Sequence, residues 1–202
     1  MPSTTPEERR AKILEAAARV FAQQGFQAAR MEDIAAEAGV AKGTLYLYFK
    51  NKDDLVLGLL EQFFTVEFSS LHALLDAPGG VRERLDQLAL HLAQETLAMQ
   101  DLLAIGYEFY AVAARRPDVR EVLRAYFQQW HEAFVTLLRQ GIERGELRAV
   151  DVDAAATTLI ALFEGTVLLW FTDPQSVRLT YHLQQGIALF FDGMTKRPGG
   201  TS

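Results

Sequence analysis

The chain has 202 residues, half of them apolar and none a cysteine, so it can bury a substantial core, whereas a disulfide framework or thiolate metal site is excluded. The net charge of −6 disfavours a protein that coats nucleic acid without sequence preference. The N-terminal residues lack the order of a signal peptide, and no apolar run approaches the roughly 18 residues of a membrane span. We therefore expect a soluble, cytoplasmic protein with no membrane partner.

Apolar spacing predicts helices along the whole chain, without the sustained alternation that is typical of strands. The first helix begins with a capping box at Thr5-Pro6-Glu7-Glu8 and ends at Gly25. Two short helices follow on either side of Gly39, and a longer one opens at Asn51-Lys52-Asp53-Asp54. After a break at residues 76–80, we expect further helices near residues 81–98, 100–114, 118–144, 152–171 and 175–192. The sequence therefore predicts an all-α fold.

Charge divides this chain into two parts. Residues 1–52 contain eight Lys or Arg and six Asp or Glu, whereas residues 53–202 contain twelve and twenty. Three of the five lysines, Lys42, Lys50 and Lys52, lie within eleven residues. A mildly basic N-terminal part suits a compact DNA-binding module, although charge runs are more often plain solvated faces. We predict a three-helix head at residues 1–52 and a larger helical body at residues 53–202.

The two short helices, with the turn at Gly39, have the order of a helix-turn-helix, whose second helix enters the major groove of DNA. On a helical wheel of residues 42–50, Leu45 and Phe49 face the core of the head. Gly43 allows close approach to DNA, and Leu47 suits a thymine methyl. The candidate contacts to bases and phosphates are Lys42, Gly43, Thr44, Tyr46, Leu47, Tyr48, Lys50 and Lys52. From the chemistry alone, a small helical subdomain with an ordinary surface is equally compatible.

The segment 31–55, with its core Gly43-Thr44-Leu45-Tyr46-Leu47-Tyr48-Phe49 followed by Lys52, closely resembles the DNA-binding signature of the TetR family of bacterial transcriptional regulators. The resemblance covers about residues 7–60. It implies that Thr44, Tyr46 and Tyr48 face the operator and that Lys52 anchors a phosphate.

Two residues depart from the family pattern. Arg30 and Ala41 stand where the family often has hydroxyl caps, and each lost cap costs about 1 kcal/mol. Arg30 is a candidate DNA contact or, equally, a surface residue that serves only solubility.

Beyond residue 60 the resemblance is one of layout. It implies that the last two helices pair with their copies in a four-helix dimer interface. Gly165 and Gly186 would allow these helices to approach closely. Each of these two helices has an apolar stripe, and the alternative is a monomer that buries both stripes within its own chain. Two-fold symmetry predicts a pseudo-palindromic operator. The candidate interface residues are Leu159, Leu162, Phe163, Thr166, Leu179, Leu183, Ile187 and Phe190.

The resemblance also implies a pocket for a small-molecule effector among the middle helices. Each candidate is individually more often plain core, but their aromatic density favours an apolar or aromatic ligand. Glu108 and Glu164 are candidates to attract a cation, although a solvent-facing Glu108 is as plausible. A ligand that favours another body geometry would move the helix after Lys52, as inducer or as co-repressor. The candidate pocket residues are Phe64, Phe68, Leu103, Tyr107, Tyr110, Phe127, Trp130, Phe134 and Trp170.

The sequence contains no phosphate-binding loop, Gly-x-Ser-x-Gly elbow or His-Glu-x-x-His motif. His131-Glu132 lacks a second histidine, and His91 with Glu95 is better explained as an exposed helix pair. We therefore expect no catalytic residue, metal site or cofactor. The remaining rival is a helical carrier of apolar ligands with a vestigial head, which would not bind DNA with strong salt dependence.

Overall fold

A computed structural model describes residues 5–98, 100 and 103–194, except for the side chains of residues 63–70, 72, 74 and 104. The described residues form nine α-helices and no strand, which confirms the predicted all-α fold. The helices are α1 (Pro6–Gln24), α2 (Met31–Glu37), α3 (Lys42–Tyr48), α4 (Lys52–Asp76), α5 (Val81–Ala98), α6 (Leu103–Arg115), α7 (Pro117–Glu143), α8 (Val152–Thr172) and α9 (Leu179–Met194).

The start of α9 differs from its predicted position near residue 175. The Asp173 carboxylate accepts a hydrogen bond from Ser176 N at 3.1 Å, and Asp173 O accepts one from Val177 N at 3.0 Å. This turn occupies the residues after Pro174, because an aspartate side chain can bond the backbone that follows it in place of a helix. The hydrogen bonds from Ser176 also lower the pKa of Asp173.

The chain packs as two units, and the predicted boundary at residue 52 falls inside the first. That unit comprises the described parts of Met1–Val66 and Met99–Leu123, and the second comprises those of Glu67–Ala98 and Arg124–Ser202. The first turns of α4 belong to the head because their apolar residues are buried there. A Cβ added to Gly58 would lie 2.9 Å from Leu14 and 3.0 Å from Phe49, so glycine permits the close contact between α4 and α1.

The core of the first unit follows the predicted apolar faces. In α1 the capping box is present, since Thr5 N donates to Glu8 Oε2 at 2.8 Å and Glu8 N to Thr5 Oγ1 at 3.1 Å. Gly39, between α2 and α3, adopts a φ of +63°, the left-handed region that favours glycine. The buried apolar side chains of α1 to α4 include Ile13, Ala17, Val20, Phe21, Ile34, Ala35, Ala38, Leu45, Phe49, Leu55, Val56 and Leu60.

In the second unit, α8 and α9 pack against each other through the stripes that were predicted to contact a partner. A Cβ added to Gly186 would lie 2.5 Å from Leu162 Cδ1, so glycine sets the close approach of these helices within one chain. Leu162, Thr166 and Phe190 are half-buried. Five of the predicted partner contacts are buried within this chain: Leu159, Phe163, Leu179, Leu183 and Ile187.

Helix α8 is also apolar on its outer side. It is long and apolar enough to cross a membrane, with a mean hydropathy of 1.7. Only 28% of its apolar segment is buried in the chain. The expectation that no such run exists is therefore wrong. Packing on α9 covers one side of α8, and the opposite side stays exposed, with Leu169 61% exposed.

Candidate nucleic-acid interface

Helix α3 has one buried and one exposed side, in the orientation that the helical wheel predicts. Leu45 and Phe49 are fully buried, whereas Leu47 is 84% exposed and Tyr46 is 41% exposed. Of the other predicted contacts on this segment, Lys42, Gly43 and Lys50 are exposed and Thr44 and Tyr48 are half-buried. The burial of the inward side chains therefore presents the predicted DNA-contact residues to solvent.

The two departures from the family pattern leave their helices with fewer capping bonds. Ala41 at the N-cap of α3 has extended backbone and no side-chain cap, and its carbonyl accepts from Thr44 N at 2.9 Å. The Arg30 side chain, at the N-cap of α2, has no acceptor atom, but Arg30 N donates to Asp33 Oδ2 at 3.3 Å. The Arg30 side chain is exposed, which is compatible with both of its proposed roles.

Lys52 has a structural role that the sequence analysis missed. Its ammonium donates to Phe26 O at 2.6 Å and to Gln27 O at 2.9 Å, and lies 4.7 Å from the centroid of the Phe26 ring. The side chain thus ties the first turn of α4 to the loop after α1. Two of the three ammonium donors are used, so one remains for the phosphate contact that the resemblance implies.

The first turn of α4 is also held by two arginines from the α6–α7 junction, within the first unit. Arg115 donates to both oxygens of Asp53, at 2.7 and 3.3 Å, and Arg116 donates to Asp54 Oδ1 at 2.7 Å. The other oxygen of Asp54 accepts from Lys50 N at 3.1 Å, one residue after the C-cap of α3. We call these two ion pairs the aspartate–arginine clasp.

The clasp was not anticipated, because Asp53 and Asp54 were predicted only as part of the start of α4. Arg116 also binds Asp118, and the hydrogen bonds to Asp118 and Asp54 raise the pKa of Arg116, which stays charged at any physiological pH. The same contact lowers the pKa of Asp118. An adjacent Asp-Asp pair and an adjacent Arg-Arg pair were the only signal in the sequence.

The predicted pocket residues are divided between the two units. Leu103, Tyr107 and Tyr110 lie in the first, where the two tyrosine rings stack with centroids 6.4 Å apart. Phe64 and Phe68 have side chains outside the described residues. The members in the second unit are Phe127 and Trp170, which are half-buried, and Trp130 and Phe134, which are buried.

Aromatic rings of the second unit form a cluster along α7 and α8. The ring of Trp130 lies 5.5 Å from that of Phe134, which stacks at 6.1 Å and 14° on Phe163. Trp130 Nε1 is buried without a hydrogen-bond partner, a rare state for an indole N–H. An open groove of about 510 Å³ on α5 and α9 is lined by none of the predicted pocket residues.

Among the described residues, no group of three or more His, Asp or Glu side chains is arranged to hold a metal ion.

Comparison with known proteins matches both parts of the chain. Residues 13–59 match the model of bacterial regulatory proteins of the tetR family, and residues 81–189 match that of the C-terminal region of BetI-type transcriptional repressors. The transcriptional repressor KstR2 of Mycobacterium tuberculosis is 28% identical over 194 residues, covering 93% of this chain and 94% of the relative.

Two solved structures share the fold over nearly their whole length. The fatty acid degradation regulator FadR of Bacillus halodurans is 26% identical with a TM-score of 0.76, covering 94% of this chain and 96% of that one. A protein of Saccharomonospora viridis, crystallised in complex with choline, is 27% identical with a TM-score of 0.81, covering 95% and 100%.

The two carbonyl contacts of Lys52 predict a loss of stability when its ammonium is removed. Lys52→Met keeps the aliphatic stem but deletes both hydrogen bonds, and we expect the free energy of unfolding to fall by about 1–2 kcal/mol. Lys50→Met, at an exposed position two residues earlier, is the matched control and should change it by less than about 0.5 kcal/mol. Urea unfolding followed by circular dichroism measures both. Equal midpoints for the two variants would refute the structural role of Lys52.

Proposed function

The chain belongs to the TetR family of bacterial transcriptional regulators, and from this premise we propose that it is a cytoplasmic repressor that responds to a small-molecule effector. In this proposal a homodimer binds a pseudo-palindromic operator and is released by an apolar or aromatic ligand, without catalysing a reaction. The observation that carries the proposal is the outward face of α3, whose composition the fold itself does not require.

Leu47 and Gly43 illustrate this point. Leu47 is the most exposed large apolar side chain among the described residues, and it contributes nothing to the core. A Cβ added to Gly43 would meet no atom within 4 Å, and the residue has no positive φ, so neither packing nor backbone conformation requires glycine there. Glycine inside a helix costs about 1 kcal/mol relative to alanine. Close approach to DNA at Gly43 and an apolar contact from Leu47 to a thymine methyl account for both residues.

The remaining DNA contacts follow from charge and position. Tyr46 presents its ring and hydroxyl beside Leu47, where it can reach base edges, and Thr44 and Tyr48 flank it. Lys42, Lys50 and Lys52, with Arg30 at the start of α2, supply cations for phosphates. Such contacts fix the register of the protein on the duplex, whereas the bases in contact with α3 determine the sequence that is bound.

The dimer in this proposal uses the outer faces of α8 and α9. The intramolecular alternative explains the buried stripes, but it leaves Leu169 61% exposed and Leu189 72% exposed. A Cβ added to Gly165 would meet nothing within 4 Å of its own chain, which leaves room there for close approach of a second copy. Exposed apolar patches of this kind usually mark an interaction site. The exposed large apolar residues of these helices are Leu168, Leu169, Phe171, Tyr181 and Leu189.

The aspartate–arginine clasp provides the coupling step. It joins the end of α6, which carries the predicted pocket residues Tyr107 and Tyr110, to the first turn of α4. Asp54 binds Arg116 with one carboxylate oxygen and accepts from Lys50 N with the other, so the clasp is connected to the residue that follows the C-cap of α3. A ligand that displaces α6 would move α4 and change the separation of the two recognition helices. The ligand-free protein holds them at operator spacing.

The effector is expected to be apolar with a hydrogen-bond acceptor. The rings of Trp130, Phe134 and Phe163 favour an apolar or aromatic body, and the unpaired Trp130 N–H favours an acceptor on the ligand. A quaternary ammonium ligand is the second candidate. A related protein binds choline, and aromatic faces attract such cations.

Operator binding is tested by footprinting the purified protein on genomic fragments. We expect a protected inverted repeat whose half-sites lie about 10 base pairs or a multiple apart. Tyr46→Ala should lower the affinity at least about tenfold, because a good base contact contributes roughly 1–3 kcal/mol. Leu97→Ala changes an apolar side chain of α5 that is 43% exposed, against 41% for Tyr46, and should leave the affinity unchanged. If no inverted repeat is protected at any salt concentration, the proposal fails. The rival function, a helical carrier of apolar ligands, is then favoured.

The dimer interface is tested by placing a charge on the outer face of α9. Leu189→Glu should convert the dimer to monomer at micromolar concentration in sedimentation velocity, because it would bury an unpaired carboxylate. Leu97→Glu on α5, at a position that is 43% exposed, is the matched control and should remain dimeric. A dimeric Leu189→Glu protein would show that this face is not the interface.

The coupling step is tested with Arg116→Gln, which removes the ion pair to Asp54. Operator affinity, measured by fluorescence anisotropy, should fall about threefold to tenfold, because contacting groups couple by roughly 1 kcal/mol. Arg139→Gln removes the same charge from an exposed position of α7 in the second unit and is the matched control. Equal affinities of the two variants would exclude the clasp as the element that holds α4.

A further inference from the structure

An exposed carboxylate lies beside the first lysine of the recognition helix. Glu32, in the first turn of α2, forms an ion pair with the ammonium of Lys42, in the first turn of α3. The same ammonium lies 5.9 Å from the centroid of the Tyr46 ring. A lysine that chemistry assigns to phosphate binding is therefore held by an acid and directed over a residue assigned to base contact.

Both members of this pair are fully charged near neutral pH. The hydrogen bond from Lys42 lowers the pKa of Glu32, and the nearby charge of Arg30 lowers it further. The same hydrogen bond raises the pKa of Lys42. A phosphate oxygen that binds Lys42 therefore either displaces a fully ionised carboxylate or binds beside it, and in both cases that carboxylate lies next to the DNA polyanion.

The carboxylate beside Lys42 affects non-specific and specific DNA complexes differently. Non-specific complexes obtain essentially all of their affinity from phosphate contacts, so they gain from every cation that is able to turn toward the backbone. A specific complex is fixed in one register by its base contacts, and in that register Lys42 can meet a phosphate without leaving its place over Tyr46. An acid that restrains Lys42 thus weakens non-specific binding more than operator binding.

We propose that Glu32 is a specificity-determining residue, which holds Lys42 over Tyr46 and thereby selectively lowers the affinity for non-operator DNA. The inference rests on the proposed DNA-binding function and adds a restraint on where the protein binds. Its role is one of positioning, because Glu32 acts through Lys42 and not through contact with the bases.

The test compares Glu32→Gln with the wild-type protein on two duplexes of equal length, the footprinted operator and a random sequence. We expect affinity for the random duplex to rise about twofold to fivefold, and affinity for the operator to change less than about twofold. The slope of log K against log salt for random DNA should steepen by about 0.9, the value of one added phosphate contact.

Glu37→Gln is the matched control. It removes the same charge from the same helix, but Glu37 pairs with Arg19 of α1 at 2.7 Å. If both variants gain equally on random DNA, the effect is one of net charge and the inference is overturned. It is also overturned if Glu32→Gln has the same effect in a Lys42→Gln background. Failure of the proposed function is a separate outcome, in which the wild-type protein itself shows no preference for any operator.

Discussion

The architecture of the head depends on the burial of Leu45 in α3 and of Phe49 at the C-cap of that helix. These side chains lie one turn apart, and their removal from water sets the rotation of α3 about its axis. Once that rotation is set, Tyr46 and Leu47 have no position other than solvent. The side of the helix that can contact DNA is therefore determined by the core, and its residues are free to serve recognition.

The head is stabilised from two directions that are far apart in the sequence. Lys52 bonds the loop after α1, and the aspartate–arginine clasp bonds the α6–α7 junction, both at the first turn of α4. Gly58 lets the same helix pack closely on α1. The first turn of α4 is thus the place where the loop after α1, the end of α3 and the α6–α7 junction meet. Hydrogen bonds therefore join each of these segments to the first turn of α4.

Helix positions and the inward side of α3 were predictable because local periodicity determines them. The face of α8 that packs within the chain was not, since this helix is apolar all round and its period does not distinguish its own core from a second chain. The partners of Lys52 and Asp54 were equally hidden. They lie about 25 and 62 residues away along the chain, and only the fold brings them together. In the sequence, a lysine such as Lys52 looks the same whether it binds a backbone carbonyl or a phosphate.

The double-sided apolar character of α8 has a consequence for the cell. In the proposed dimer a second copy covers the outer face of α8, so the native state is stabilised by mass action, and folding and assembly form one linked equilibrium. The number of chains per cell then governs how much protein survives proteolysis as well as how much operator is occupied. A repressor built in this way would be degraded fastest when it is scarce, which sharpens the threshold between an open and a silent promoter.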